Sequence, residues 1–491
     1  MTGMDHTLPR RTSHANHAGS EPPGEALLAR LGLAFTNWAE RWFPDAYVFV
    51  ALAVAVVAAA AMLNGASPIS VATSFGDGFW SLITFTMQMA MVIISGYVVA
   101  TSPPVARLID ALAAAPRSGR TAIGLVAAAS MLTSLLNWGL SLIFSGLFVR
   151  ALARRNELGM DYRAAGAAGC LGLGATWALG LSSSAAQLQA NQGSLPKALL
   201  DITGVLPFAE TIFLWQSLTI AAVLFVVSIA ISLLSAPSAA QAVTAQMIGE
   251  DLEAAHAALA PRQRPGEWLE YSPLLTLVIV ALAGGFLVQE FASKDPIIAI
   301  SNLNTYNLLF LTLGALLHWR PRSFLNAVAQ AVPATTGVLI QFPLYGGIAT
   351  MMTAAKGFGG HSVADQLSHA FVSLSSTGTF PIVMGIYSAV LGFFVPSGGG
   401  KWLLEAPYVM QAANDLKVHL GWAVQIYNTA EALPNLINPF WMLPMLGVLG
   451  LKARDLVGFT FLQLVVHAPL VLFLLWILAG TLTYMPPVVP H

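Results

Sequence analysis

The sequence predicts an all-α polytopic membrane protein, an inverted-topology repeat with two re-entrant helical hairpins and broken helices. Three observations predict it. The chain of 491 residues is 56% hydrophobic and 9% charged, with mean hydropathy +0.70, too apolar for a soluble globule. Two glycine-bearing interruptions, Asn137-Trp138-Gly139 and Pro396-Ser397-Gly398-Gly399-Gly400, fall inside strongly apolar stretches, each at nearly the same place in its half. The basic residues, finally, can be threaded so that they lie almost entirely on one side of the bilayer. An unpaired backbone group in hydrocarbon costs several kcal/mol, so a broken helix survives only where protein or a wet cavity satisfies it. Paired breaks in corresponding positions of two halves point to a binding site.

Residues 1–45 are polar and lack an apolar core behind a basic start, so they do not read as a secretory signal. His6, His14 and His17 sit in a tail rich in Ser, Pro and Gly and read as disordered chain rather than as a metal site. From 24 to 42 the spacing of Leu27, Leu28, Leu31, Phe35, Trp38 and Trp42 predicts an amphipathic helix lying at the membrane interface.

Arginines then set the topology. Arg107, Arg117 and Arg120 precede the apolar run 121–148, and Arg150, Arg154, Arg155 and Arg163 follow it. A crossing would put one basic cluster outside. A re-entrant hairpin turning at Asn137-Trp138-Gly139 keeps both in the cytoplasm. The remaining crossings fall near 46–64, 79–101, 164–186, 207–235, 272–290, 303–318, 324–352, 420–450 and 456–481, with a second hairpin at 380–414. The N-terminus is then inside and the C-terminus outside. Of the 22 basic residues, only Lys197, Lys294, Lys356 and Lys417 become external, and Lys401 lies in a hairpin.

The domain organisation follows. The tail and interfacial helix occupy 1–45. The first repeat, 46–235, contains the hairpin 121–149. A polar cytoplasmic linker spans 236–271 and a connecting helix 272–290. The second, inverted repeat, 303–481, contains the hairpin 380–414. Weak internal likeness supports the repeat: Thr86-Met87-Gln88-Met89-Ala90 matches Leu339-Ile340-Gln341-Phe342-Pro343, 253 residues later, and Asn137 pairs with Pro396, 259 residues on. The segment Thr176-Trp177 to Ser182-Ser183-Ser184 has its counterpart in Glu431, Asn435 and Asn438-Pro439-Phe440-Trp441. With one crossing between them the repeats are upside down, so the two hairpin tips can meet near mid-membrane.

A tip inside the membrane has a chemistry of its own. The helix entering it ends in orphan carbonyls, which suit a cation; the helix leaving it begins with free amides and the positive dipole end, which suit a carboxylate. Glycine allows close backbone approach, and Pro396 fixes the break. Asn137 and Ser397 add uncharged donors and acceptors. Alternatives stay open residue by residue. Gly398, Gly399 and Gly400 could form a plain connecting turn; Gln88 and Gln341 could only bridge helices; Ser182 and Ser184 could bond back to their own helix. Glu431, an intramembrane carboxylate, could bind a coupling cation, carry a proton or pair with a neighbour. Lys401 and Glu405, four apart, could form an ion pair.

Composition excludes other classes. There is no phosphate loop, nucleophile elbow, His-Glu-x-x-His or cysteine pair, and no basic patch for nucleic acid; Cys170 is the single cysteine. Neither an enzyme nor a nucleotide-driven pump is indicated, which leaves secondary transport.

At these motifs the chain resembles the bacterial short-chain fatty acid transporter family, within the ion transporter superfamily. The likeness runs from about Trp38 to Gly480. It rests on Gly76-Asp77-Gly78-Phe79-Trp80, Met87-Gln88-Met89-Ala90, Asn137-Trp138-Gly139, Gln341-Phe342-Pro343, the stretch from Val395 through Gly400 and Pro439-Phe440-Trp441. The resemblance implies uptake of small monocarboxylates such as butyrate or acetoacetate across the bacterial inner membrane, with no cofactor and H+ or Na+ as coupling ion. It also implies a homodimer working as an elevator-type transporter, with a moving domain that holds both hairpins. Carried over by position, the substrate site falls on Asn137, Trp138, Gly139, Thr176, Ser182, Ser184, Ser397, Gly398, Gly399, Gly400 and Asn435, with Glu431 and Asn137 for the coupling cation. Ala185-Ala186 stand where the family's Met-Pro pair is expected, which puts the local helix break in question. A dicarboxylate or other organic-anion carrier is the second reading, and a receptor that binds without transporting the third.

Overall fold

Runs of alanine, leucine, valine and isoleucine dictate helix over most of the chain, and prolines and capping Ser, Asn and Asp residues mark where several of the helices start. The structure, a computed structural model, describes residues 41–42, 46–250, 252, 259 and 261–488. Among the described residues it is all-helical, with no strand beyond an isolated bridge between Gly204 and Val488. The expected interfacial helix, apart from Arg41 and Trp42, and the histidines of the tail lie outside the described residues.

The first half opens with α1 (Ala46–Leu63), the short α2 (Pro68–Phe79), α3 (Ile83–Ala100) and the short α4 (Pro103–Ala114). Ser67 caps α2 and a proline occupies the first turn of both short helices, where a missing N–H costs nothing. Then come the paired α5 (Gly119–Leu136) and α6 (Trp138–Ala153), separated by one residue. A broken segment follows: α7 (Tyr162–Gly169), a π turn (Gly172–Thr176), a 3-10 turn (Trp177–Leu179) and α8 (Ser184–Ala190). After the short α9 (Lys197–Thr203), α10 (Trp215–Ser235) closes the half.

Past α11 (Leu274–Ser293) the same order returns. A long helix α12 (Leu303–His318), the short α13 (Pro321–Ala331), α14 (Thr336–Ala354) and the short α15 (Val363–Leu374) precede paired helices α16 (Phe380–Phe394) and α17 (Gly398–Asp415). A bent pair follows, α18 (Leu420–Asn435) and α19 (Pro439–Leu449), at 53°, and α20 (Ala453–Ala479) ends the half.

Packing repeats as the order does. Helix α12 packs on α3 and α14 on α1; α13 packs on α3 and α2 on α14; α6 packs on α3 and α17 on α14; α10 packs on α5 and α20 on α16. The broken segment 162–190 is almost wholly buried, whereas α10, α11 and α20 present apolar surface such as Leu282, Phe286, Val288, Leu234 and Trp476. Apolar side chains are tolerated on the outside only if lipid or another protein covers them. Among the described residues, seven helices are long and apolar enough to cross a membrane, or eight if the bent pair counts as one.

Several boundaries differ from the sequence reading, for identifiable reasons. The crossing expected over 324–352 is two helices: Pro321 starts the amphipathic α13, and a 3-10 turn at Val332–Thr335 separates it from α14. The crossing expected at 207–235 is helical only from Trp215, after a 3-10 turn at Phe208–Glu210. The first arm of the first hairpin, α5, has 18 residues and by length and composition alone could span. The second arm of that hairpin, α6, and the first arm of the second, α16, have 16 and 15. At 1.5 Å per residue those two reach about 24 and 22 Å, short of the ~30 Å hydrocarbon core.

Candidate functional site

The two breaks are built alike. Asn137 lies in extended backbone (φ −157°, ψ 121°), ends α5 and caps α6, its Oδ1 accepting the Leu140 amide at 2.9 Å. Ser397 does the same for α17 (φ −154°, ψ 102°), its Oγ accepting the Gly400 amide at 3.2 Å. The residue equivalent to Asn137 is thus Ser397, one position beyond the Pro396 expected from the sequence match. A cap needs a side-chain acceptor, which proline lacks.

Their surroundings differ. At the first break the protein itself takes up the loose backbone groups. The Leu135 carbonyl accepts the Leu181 amide (2.7 Å), the Leu136 carbonyl accepts the Tyr306 hydroxyl (2.7 Å), and the Trp138 amide donates to Ser182 Oγ (3.0 Å). Asn137 Nδ2 donates to the Val92 carbonyl at 3.2 Å. Thr176 Oγ1 meets Ser134 Oγ at 2.8 Å and the Met131 carbonyl at 3.2 Å. The orphan carbonyls expected to suit a cation are therefore engaged. Gly139 packs against α3, where a Cβ would stand 3.4 Å from the Ile93 backbone. Gly180 explains how the broken segment survives without Met-Pro. Its extended backbone lies so close to Leu135 that a Cβ would fall 2.4 Å from Leu135 Cα, and Ser183 then caps α8. The break stands although Ala185-Ala186 replace the expected pair.

At the second break the backbone is open. The amides of Gly398 and Gly399, in the first turn of α17, have no intrahelical acceptor. With Ser397 they line a cavity of about 620 Å3, a volume within the ~300–1,000 Å3 usual for small-molecule sites. Trp138 from the first break, Ser184, Trp177, Gln341, Phe342 and Trp441 line it too, so both breaks reach one cavity. Three indoles form a continuous wall: Trp441 lies 6.2 Å from Trp138 and 6.4 Å from Trp177, ring to ring. Among the described residues, no Lys, Arg, Asp or Glu is on its lining. The glycines set this shape: a Cβ on Gly398 would lie 2.4 Å from the Trp177 ring and one on Gly400 2.2 Å from the Tyr345 ring, while Gly399 faces Phe342 and Ser184 at 3.2 Å.

Of the residues expected from sequence, Trp138, Ser184, Ser397, Gly398 and Gly399 meet at the cavity. Asn137, Gly139, Thr176 and Ser182 stand behind it as supports of the first break, and Gly400 packs under the second. Asn435 donates to the Leu173 carbonyl at 3.2 Å, tying the bent pair to the broken segment, and its Oδ1 lacks a donor.

Glu431 and Lys401 resolve together, and the two open readings of the sequence merge. Lys401 Nζ lies 2.7 Å from Glu405 Oε1 and 2.8 Å from Glu431 Oε2, all three side chains buried. It also donates to Ser388 Oγ (2.8 Å) and the Ser388 carbonyl (3.0 Å), while Ser388 Oγ donates to Glu405 Oε2 (2.8 Å). Glu431 Oε2 is in close ion contact with the ammonium, and its other oxygen, Oε1, is buried with no partner. Gly392 makes the room, since a Cβ there would lie 2.9 Å from Glu431 Oε2. Tyr427 was missed by sequence reasoning. Its ring covers Lys401 Nζ at 4.2 Å and its hydroxyl donates to the Gly398 carbonyl at 2.5 Å. The signal was present: Tyr427 stands one helical turn before Glu431, on the same face. Tyr306, also missed, comes from α12, far along the chain, and left no such sign, whereas Ser134 lies on α5 one turn before Asn137.

Comparison with known proteins agrees with this architecture. Residues 27–478 match the model of a family described as short chain fatty acid transporter. A protein of Escherichia coli K12 described as a "putative short-chain fatty acid transporter" is 34% identical over 436 residues, covering 88% of this chain and 96% of its own. One of Haemophilus influenzae with the same description is 29% identical over 460 residues, 92% of this chain and 100% of that one. Among solved structures, the Alcanivorax borkumensis YdaH transporter is similar at TM-score 0.51 and 13% identity, covering 92% of this chain and 98% of that one. Neisseria gonorrhoeae MtrF is similar at TM-score 0.55 and 13% identity, covering 93% and 98%. At that identity the likeness speaks for fold alone. The family match runs through nearly the whole chain, over apolar helices that can cross a bilayer several times: the chain belongs to the short chain fatty acid transporter family, a multi-pass membrane protein of a family that transports rather than catalyses.

Proposed function

We propose that the protein imports short-chain monocarboxylates, butyrate or acetoacetate among them, across the bacterial inner membrane by secondary transport coupled to H+ or Na+. One observation carries the reading: Ser397, Gly398 and Gly399, whose first-turn amides lack an intrahelical acceptor, line a cavity that is otherwise mostly aromatic and apolar. A helix N-terminus binds a carboxylate through its amides and dipole, and indole walls suit a short acyl chain. The absence of Arg and Lys from the lining among the described residues favours a small monoanion over a dicarboxylate.

The repeated element order and paired packing support two halves of inverted topology. The arms α6 and α16, too short to span, support re-entrant hairpins. Alternating access would then come from elevator-type movement of the hairpin-bearing domain against a scaffold of α1, α3, α12 and α14 in a homodimer. Glu431 is the favoured coupling residue. Asn137, whose amide oxygen and nitrogen are both engaged, is the weaker candidate.

The test is counterflow of labelled butyrate in proteoliposomes of the purified protein; no exchange with any short-chain monocarboxylate rejects the reading. A second reading, transport of another organic anion or outward transport, is favoured by the fold shared with MtrF, which is described as belonging to a class of antimetabolite efflux pumps. Competition by succinate but not butyrate would establish a dicarboxylate carrier. Saturable binding without accumulation under an ion gradient would establish a receptor.

A further inference from the structure

The buried cluster of Lys401, Glu405 and Glu431 lies beside the cavity but lends it no lining residue. With every member ionised it carries one positive and two negative charges, a net charge of −1 in a place that water does not reach. An uncompensated charge is among the most expensive things a protein can bury, and a cluster so placed neutralises itself by taking up a proton or a cation. The two are distinguishable by geometry. A hard metal cation is held by several oxygen ligands around one point. Here the point between the two carboxylates is filled by Lys401 Nζ, 2.7 and 2.8 Å from them, and the Tyr427 ring covers that ammonium at 4.2 Å. A second cation would have to approach an ammonium. A proton needs only a carboxylate lone pair, and Glu431 Oε1 is buried with no hydrogen-bond partner.

We infer that Lys401, Glu405 and Glu431 form a proton site, holding one exchangeable proton on the two carboxylates. The proton belongs to the pair rather than to either acid, because both contact the same ammonium. Uptake takes the cluster from net −1 to neutral by adding H+ from water to a carboxylate oxygen, with no other bond made or broken; release reverses it. The other titratable groups of the shell are Tyr408 on α17, Tyr387 on α16, Tyr345 on α14 and Tyr427 on α18 itself, with the Tyr387 and Tyr408 hydroxyls 2.7 Å apart. The broken segment 172–190 and α19, also packed on α18, bring none, and His467 of α20 faces Ser228 instead.

Tyr427 gives the site its route to the ligand. It touches Lys401 with its ring and the Gly398 carbonyl with its hydroxyl, and the Lys401 amide donates to the Ser397 carbonyl at 2.7 Å. Protonation changes the hold of Glu431 and Glu405 on Lys401, which is rooted in the first turn of the same helix that offers its amides to the cavity. The coupling role, though not the proton itself, rests on the transport reading above.

The experiment is infrared difference spectroscopy of the full-length protein in sodium-free liposomes, taken between acid and alkaline buffer, with butyrate counterflow measured on the same vesicles. A high-frequency carboxyl band, the signature of a protonated acid out of contact with water, is expected in the wild type, unaffected by added sodium. It should be lost in Glu431→Gln and in Glu405→Gln alike, since either substitution leaves one ammonium facing one carboxylate, a neutral pair. Absence of that band in the wild type, its persistence in either variant, or its removal by sodium would each overturn the proton site. Failure of counterflow with the band present would reject the transport reading and leave the proton site standing.

Discussion

Replacing Lys401 with methionine removes the one positive charge from the buried cluster while keeping an unbranched, flexible side chain in its place. The ammonium makes two ion contacts, 2.7 Å to Glu405 and 2.8 Å to Glu431. Each is worth roughly 6 kcal/mol of Coulomb attraction at an effective dielectric constant of ~20. Much of that gross gain is offset by desolvating the three charges, and breaking such a buried pair by removing one partner typically costs about 3–5 kcal/mol. Lys401→Met should therefore lower stability by about 3–5 kcal/mol, chiefly because two carboxylates are left buried without a counter-charge. The same reasoning predicts rescue. Adding Glu431→Gln, and then Glu405→Gln, removes the stranded charges one at a time, so the triple variant should recover most of the loss despite carrying three substitutions. The assay is reversible denaturation of the purified protein in mixed micelles, followed by tryptophan fluorescence, with the single, double and triple variants compared as a cycle. A Lys401→Met protein as stable as the wild type, or losses that simply add along the series, would refute the account of a charge-balanced cluster.

Two further outcomes follow from the geometry at the second break. Gly399→Leu should abolish butyrate exchange while leaving membrane insertion intact, since its Cβ would already stand 3.2 Å from Phe342 and Ser184 and the remaining side chain would fill the cavity; wild-type uptake would reduce the triple glycine to a connecting turn. Gly398→Ala should place a methyl 2.4 Å from the Trp177 ring, an overpacking cost of about 1–3 kcal/mol. Trp177→Ala, costly alone as a buried large-to-small change, should cost less in the Gly398→Ala background, and an equal loss in both backgrounds would show that the contact is not the cause.

Much of the fold was legible in the sequence because its physics is local. A backbone in hydrocarbon must be helical, so apolar runs gave the helices and glycine-bearing interruptions gave the two breaks. Boundaries slipped where amphipathic helices adjoin apolar ones, as at Pro321–Ala331, since hydropathy alone does not separate a helix lying flat from one that crosses. The site was legible only in part. Asn137 and Ser397 were marked by their place in the breaks, but that the first break is sealed by Leu181, Tyr306 and Ser182, while the second opens to a cavity, depends on partners remote in the chain.

By itself, then, the sequence determined a helical membrane protein with two matched breaks, because composition and chain-local hydrogen bonding leave a bilayer-embedded backbone few alternatives. Only the tertiary structure decided what the intramembrane charges do. Lys401 and Glu405 are one helical turn apart and predictable as a pair, but Glu431 joins them from α18, across a gap that Gly392 leaves open. Electrostatic partnership is set by distance in space, and between different helices the order of residues along the chain does not encode it.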